Sequence, residues 1–196
     1  MSSEVQTPQL FPDLIPLTGE YDIDQAHSSI GFSIRHAMVT NVRGSFRDFA
    51  GGLVLDGERP EQSRAWFDVA LVSIDTSNRV RDAHLRTADF FDVERHPVMS
   101  FRSTAVRELG GDAYGVTGDL TLNGTTHSVS TDVEFNGWAV DPAGDERIGF
   151  EGCATLFRSR WGLTWNSALE AGGMLLGDKV KVHFGLAALR RPATPL

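Results

Sequence analysis

Apolar residues recur at every second position in short segments separated by turn signals, and this period limits what the chain can fold into. Ile30, Phe32 and Ile34 alternate with Ser29, Gly31, Ser33 and Arg35. Successive side chains of a strand point to opposite faces, so such a set lies on one side of a sheet. The pattern returns at Val129, Thr131, Val133 and Phe135, and again from Ile148 through Phe150, Gly152 and Ala154 to Leu156. Val180, Val182, Phe184 and Leu186 repeat it opposite Lys179, Lys181 and His183. Segments 52–55, 65–74, 98–108 and 113–123 are further strand candidates. Turn signals fall at Asp56-Gly57, Gly110-Gly111-Asp112, Asn123-Gly124 and Pro142-Ala143-Gly144. Connections this short favour antiparallel neighbours. About eight strands result, which predicts an all-β fold. An eight-stranded closed barrel has an interior that side chains fill or that holds one small ligand.

A chain of 196 residues with 20 glycines and 8 prolines suits one turn-rich domain. Segment 1–18 carries Pro8, Pro12 and Pro16 and is predicted to be an extended or disordered tail. Leu10, Phe11, Leu14 and Ile15 are its candidates for contact with the barrel. The domain then runs over 19–189, and 190–196 is a second loose tail. The net charge of −8 argues against nucleic acid, whose phosphates need a basic surface. No apolar stretch approaches the ~18 residues of a membrane helix, so no stable membrane insertion is expected. The start has no basic region followed by an apolar run, so cytoplasmic residence is expected. Cys153 is the single cysteine, which excludes an intrachain disulfide, and an inert strand thiol is expected.

Segment 77–93 breaks the alternation. Ser77 is the predicted cap of a short helix through Arg81 to Arg86, with Asp82 and Arg86 paired at i, i+4. Thr87 then caps a second turn containing Asp89 and Phe90. This helical segment reads as a lid over one barrel end, which either seals the core or also gates a ligand. Arg79, Arg81, Asp82, His84 and Arg86 are concentrated there. They read either as a network tying the lid to the rim or as a polar anchor for a ligand head. The six histidines show no metal-ligand spacing, so no metal site is assigned. No nucleophile elbow, phosphate loop or dinucleotide fingerprint is present, so no catalytic residue and no cofactor is assigned. Gly118, Gly152 and Ala154 are small residues at inward positions and would leave room inside.

Two blocks carry a resemblance. The first runs Ser73-Ile74-Asp75-Thr76, Arg81-Asp82-Ala83-His84-Leu85-Arg86, Asp89-Phe90-Phe91-Asp92-Val93, His96-Pro97 and Phe101. The second is Gly118-Asp119-Leu120-Thr121-Leu122-Asn123-Gly124-Thr125-Thr126-His127. In order and spacing they resemble the YceI-like family, bacterial lipocalin-like proteins that bind polyisoprenoids. Tyr21 to Asp24 with His27 to His36, Val42 to Phe46 with Phe49, and Gly177 to Val180 are similar to further family segments. His96 departs from the aromatic usual before the proline, and Trp161 to Trp165 is a second departure.

The resemblance implies an extended eight-stranded antiparallel barrel with a long apolar tunnel for an isoprenoid chain, an isoprenoid quinone or a related lipid. Many relatives are periplasmic. Ile30, Phe32, Ile34, Phe46, Leu85, Phe90, Phe91, Phe101, Leu120, Phe150 and Phe184 are the expected tunnel lining. Arg81 and His84 are the expected anchors. The chain is thus read as a carrier, storage or sequestering protein for a hydrophobic small molecule, with a homodimer slightly preferred over a monomer. Two rivals stand beside this reading. One is a barrel acting as an enzyme on a hydrophobic metabolite, with His84 or Asp82 as acid or base. The other is a packed interaction module.

Overall fold

The alternating segments form strands. A computed structural model describes residues 14–170 and 172–192. The expected contacts of Leu10 and Phe11 lie outside the described residues. The strands are β1 (Gly19–Ile23), β2 (Ser29–His36), β3 (Thr40–Phe46), β4 (Phe49–Leu55), β5 (Arg64–Ala70) and β6 (Ile74–Asp75). After helix α1 (Arg79–Leu85) come β7 (Val98–Gly110), β8 (Ala113–Leu122), β9 (Thr125–Val140), β10 (Glu146–Phe157) and β11 (Leu176–Arg190). Hydrogen bonding runs from β1 through β4, β5, β7, β8, β9, β10 and β11 and returns to β1. That ring is a closed, antiparallel, eight-stranded barrel.

The remaining strands extend three members of the ring. β2 continues β1, β3 leads into β4, and β6 continues β5. All three long strands break at one level. The breaks are a 3-10 turn at Gln25–His27, Arg47 with Asp48, and a 3-10 turn at Leu71–Ser73. A belt of hydrogen bonds joins them. Gln25 Nε2 donates to the Arg47 carbonyl (2.5 Å), Arg47 N–H to the Ser73 carbonyl (3.3 Å), and Ala70 N–H to the Asp48 carbonyl (2.9 Å). Segment 65–74 is therefore not one strand, as the alternation implied. Leu71 turns fully into the core, its N–H donates to the Pro97 carbonyl (2.9 Å), and the Ser73 hydroxyl folds back onto the Ala70 carbonyl (2.6 Å).

The helix is present, but its predicted contacts differ. Asn78, not Ser77, is the cap, and its Oδ1 accepts from the Arg81 N–H at 3.0 Å. Ser77 takes a left-handed conformation (φ 59°), with its N–H on the Asp75 carboxylate (2.7 Å). Asp82 does not pair with Arg86. It is buried and accepts from both the N–H (2.9 Å) and the hydroxyl (2.5 Å) of Thr76. Arg86 donates instead to the Ile74 carbonyl at 3.2 Å. A buried carboxylate needs such donors, and the nearby backbone turn supplies them at shorter reach than an arginine one helical turn away. Thr87 receives the Asp89 N–H at 3.4 Å in the second turn.

Inside the barrel, phenylalanines lie flat over glycines on neighbouring strands. A Cβ at Gly152 would meet the Phe184 ring at 2.6 Å, one at Gly118 the Phe101 ring at 2.4 Å, and one at Gly51 the Phe67 ring at 2.7 Å. Gly152 and Gly51 sit directly opposite their ring partners in the register. The rings thus run along the wall instead of across the lumen. The small residues at 118 and 152 make room for these rings rather than for a void of their own.

This packing fixes the cost of a methyl group. Gly152→Ala places its Cβ against the Phe184 ring and the Asp132 carbonyl oxygen (2.7 Å) and is expected to destabilise the fold by about 1–3 kcal/mol. Gly149→Ala, whose nearest neighbour is 3.5 Å away, should stay within about 0.5 kcal/mol of the parent. Urea unfolding of both variants measures the difference. Equal losses would show that Phe184 does not press on Gly152.

Candidate functional site: an apolar cavity between two packed ends

The inward residues do not fill the barrel. A cavity of about 230 Å³ lies between two buried clusters. At the end near α1, Phe46, Phe49, Leu71, Ile74, Leu122 and Trp161 close the lumen. At the opposite end, Leu14, Leu17, Tyr21, Tyr114, Phe135 and Ile148 close it. Ile15, paired with Leu14 in the sequence reading, is exposed instead. The wall between these ends is mainly aliphatic and aromatic: Val116, Val129, Val133, Ala154, Val182 and Leu186 contribute alongside Phe67 and Met99. Ser63, Arg64, Tyr114 and Thr131 are the polar residues along it, but they present no polar surface to the cavity. Thr131 is already engaged, its hydroxyl donating to the Cys153 carbonyl at 2.7 Å. Cys153 itself is exposed on the outer face of β10.

Five of the residues singled out in the sequence lie on the cavity wall: Ile30, Phe101, Leu120, Phe150 and Phe184. Phe32, Phe46, Leu85 and Phe91 belong to the packed cluster at the α1 end or lean against it. Phe46 stacks between Phe32 (5.7 Å) and Phe91 (6.2 Å). Ile34 sits further out on β2, beside Val42 and Val180. Phe90 is buried against Trp165 (5.2 Å). Arg81 donates to the hydroxyl (2.7 Å) and carbonyl (2.8 Å) of Thr76. His84 contacts Asp89 through Nε2 (2.8 Å) and packs edge-on against Trp165 (4.8 Å). Both side chains are occupied in holding the lid, away from the cavity. Ala154, read in the sequence as a small inward residue that leaves room, borders the cavity, whereas the valines were not named as lining because the reading favoured aromatic residues. They share the alternation phase of Phe150 and Phe184, and that signal would have found them.

The ends are fixed by polar groups that work on backbone. At the α1 end, buried Arg158 donates to the carbonyls of Leu163 (2.5 Å), Trp165 (2.9 Å) and Gly177 (2.9 Å). Burial lowers the pKa of this guanidinium below its ordinary value, although the nearby Asp178 opposes that effect. Trp161 Nε1 donates to the Leu120 carbonyl (3.1 Å), locking the tryptophan-containing segment over the lumen. His96 covers Gly124 of the β8–β9 turn. At the opposite end, the Tyr21 hydroxyl donates to the Leu17 carbonyl (2.7 Å) and accepts from Arg190 Nη2 (2.9 Å). Arg190 Nε also donates to Glu146 (2.7 Å). Among the described residues, no group of three or more histidine, cysteine or acidic side chains is placed to hold a metal ion. No described helix is long and apolar enough to cross a membrane.

The sequence profile of the YceI-like domain matches residues 21–188. A UPF0312 protein of Staphylococcus epidermidis is 39% identical over 165 residues, 83% of this chain and 92% of the relative. A UPF0312 protein of Azotobacter vinelandii is 37% identical over 149 residues, 75% of this chain and 78% of its own. Among solved structures, the YCEI protein of Campylobacter jejuni superposes with a TM-score of 0.69 at 27% identity, covering 86% of this chain and 96% of that one. BcnA of Burkholderia cenocepacia (TM-score 0.75, 23% identity, 84% and 98% coverage) shares the fold. So does a polyisoprenoid binding domain of Saccharophagus degradans (TM-score 0.67, 15% identity, 87% and 98% coverage).

The Tyr21 network gives the closed end a pH signature. Burial, helped by the Glu146 carboxylate and opposed by Arg190, pushes the Tyr21 phenol up from 10.0 to about 12. The folded state therefore favours the protonated phenol. Its contribution is complete below the unfolded value near 10 and is lost as pH rises through about 12. The stability gap between the parent and Tyr21→Phe is expected to narrow by about 2 kcal/mol between about pH 9 and pH 12. Denaturant unfolding across that range checks it, and a constant gap contradicts it.

Proposed function

We propose, from a chain that belongs to the YceI-like domain family, that the barrel binds a hydrophobic small molecule and acts as its carrier, store or sequestering protein. The observation that carries this reading is the cavity itself. It lies between two packed ends, and its lining is apolar throughout. Each methylene withdrawn from water contributes roughly 0.8 kcal/mol, so an aliphatic chain needs no further recognition to enter such a space. The order of ten to twenty heavy atoms fits a lumen of about 230 Å³. An isoprenoid chain, alone or as the tail of a quinone, has the branched apolar surface that suits walls of valine, leucine and phenylalanine. The Saccharophagus domain, named for polyisoprenoid binding, has the same fold. A chain longer than the lumen would have to displace one of the packed ends.

Enzymatic use of the barrel has less to draw on. Asp82 is held beneath Thr76 and His84 against Asp89, so neither proposed acid or base faces the cavity.

The test is to fill the lumen from the wall. Ala154→Phe projects a ring into the space beside Val182, its partner across the strands. Equilibrium partition of radiolabelled geranylgeraniol into the protein is expected to fall at least about tenfold. Thr155→Phe, on the exposed outer face of the same strand, should bind as the parent does. Unchanged binding by Ala154→Phe would remove the lumen as the binding site.

A further inference from the structure

The chain carries 26 acidic and 18 basic residues, yet one outer face near the lid end gathers cations without acids. Strand register defines that face. Lys181 pairs with Thr155 of β10 on one side and with Ser33 of β2 on the other, and Ser33 pairs with Arg43 of β3. Cross-strand partners point to the same side of a sheet, so Lys181 and Arg43 share one surface. Lys179 and Arg35 each stand two residues nearer the hairpin tip on the same strands, in the same phase. Ala154, Leu156 and Val182 hold the opposite phase and line the lumen, so the four cations face outward. All four are exposed.

These cations are not neutralised. The outward neighbours between them are Thr155, Ser33 and Asn41. Arg35 Nε donates to the Met38 carbonyl (3.0 Å), and none of the four makes an ion pair among the described residues. Lys179 and Lys181 are the only lysines in the chain. Asp178, next in sequence, is engaged elsewhere: its carboxylate accepts from the N–H and the hydroxyl of Ser159 (2.9 Å each).

An apolar tip adjoins this face. Met38 and Val39, between β2 and β3, are 63% and 77% exposed. The Val39 N–H donates to the His36 carbonyl (3.2 Å), closing a turn whose central residues Ala37 and Met38 both have positive φ (48° and 62°). Glycine, asparagine and aspartate dominate that conformation, so a methionine is held there against local preference. The turn is braced by the segment before β11, where the Leu175 carbonyl accepts the Ala37 N–H (2.7 Å). Exposed Met174 lies in that segment, and Met38 Cγ is 3.8 Å from the place a Cβ on Gly173 would take. Phe157, also exposed, is the cross-strand partner of Lys179. Exposed apolar side chains beside unpaired cations are the composition of a membrane-surface contact.

We infer that this end of the barrel docks reversibly on an anionic lipid bilayer, with Arg35, Arg43, Lys179 and Lys181 on the phosphates and Met38, Val39 and Met174 among the headgroups. A bilayer uses both features. A nucleic-acid duplex would use the cations and leave Met38 and Val39 without a partner. The acid-rich remainder of the surface is repelled by the same membrane, which orients the molecule with this face down. The contact is local and salt-sensitive, and it involves no insertion of a strand or helix.

Sedimentation with lipid vesicles tests this. One set contains equal parts phosphatidylglycerol and phosphatidylcholine, the other phosphatidylcholine alone. The parent protein is expected to sediment with the anionic set at low salt, not with the neutral set, and to be released as salt is raised. Arg43→Gln combined with Lys181→Gln should weaken binding at least about tenfold, and Val39→Asp about fivefold. Arg59→Gln combined with Arg107→Gln removes the same charge elsewhere, Arg107 lying on β7 across the ring from β11, and should bind as the parent does. If the first pair fails to fold, Arg35→Gln with Lys179→Gln makes the same test. No binding by the parent, equal binding to neutral vesicles, or equal weakening by the two double variants overturns the inference. So does binding to a short DNA duplex in preference to the anionic vesicles. None of these outcomes depends on what the lumen holds, so the carrier reading stands or falls separately.

Discussion

Everything about the interior depends on where the phenylalanine rings lie. An eight-stranded barrel is narrow enough for its own side chains to fill. Here Phe184 lies over Gly152, Phe101 over Gly118 and Phe67 over Gly51, at distances that exclude even a Cβ on the glycine. Large rings are thereby spent on covering the wall. The same residues pointed across the lumen would give a solid core with no cavity. The glycines are needed for this arrangement because any other residue would push a ring inward.

The two ends then determine what the lumen can hold. Trp161, Leu122 and the aromatic cluster around Phe46 close one end beneath the lid, and Tyr21 with Leu17 closes the other. Arginines stabilise both closures through contacts to backbone carbonyls: Arg158 at the lid end, and Arg190 on the Pro16 carbonyl (2.8 Å) at the other. These are fixed fork-like donors holding irregular backbone, a task that suits guanidinium groups better than ammonium groups. The lid works the same way, with Arg81 and Asp82 both directed at Thr76. Its charged residues organise the closure locally and leave the cavity wall to valine, leucine and phenylalanine.

Much of the barrel was legible in the sequence because its strands keep strict alternation. Val180, Val182, Phe184 and Leu186 announced β11, and Ile148 to Leu156 announced β10. The breaks in three long strands were not legible. Nothing at Leu71 marks a turn, since its burial against Pro97 is a tertiary contact that overrides local alternation. The lining was half legible for a related reason. Alternation tells inside from outside but not height along the barrel. Phe32 and Phe184 carry the same local signal and both lean on the packed cluster, yet only Phe184 borders the cavity. Arg81 and His84 looked like anchors because charge is concentrated on the lid. Only the geometry reveals that Thr76 and Asp89 occupy them.

The central claim is that the lumen is a container for an apolar chain. Its most direct test is a native mass spectrum of the freshly purified protein, paired with mass spectrometry of an organic extract of the same sample. The account predicts a mass above that of the chain, released on extraction as one apolar molecule per barrel. A protein of bare chain mass that also takes up no lipid when incubated with the total lipid extract of its host would contradict it.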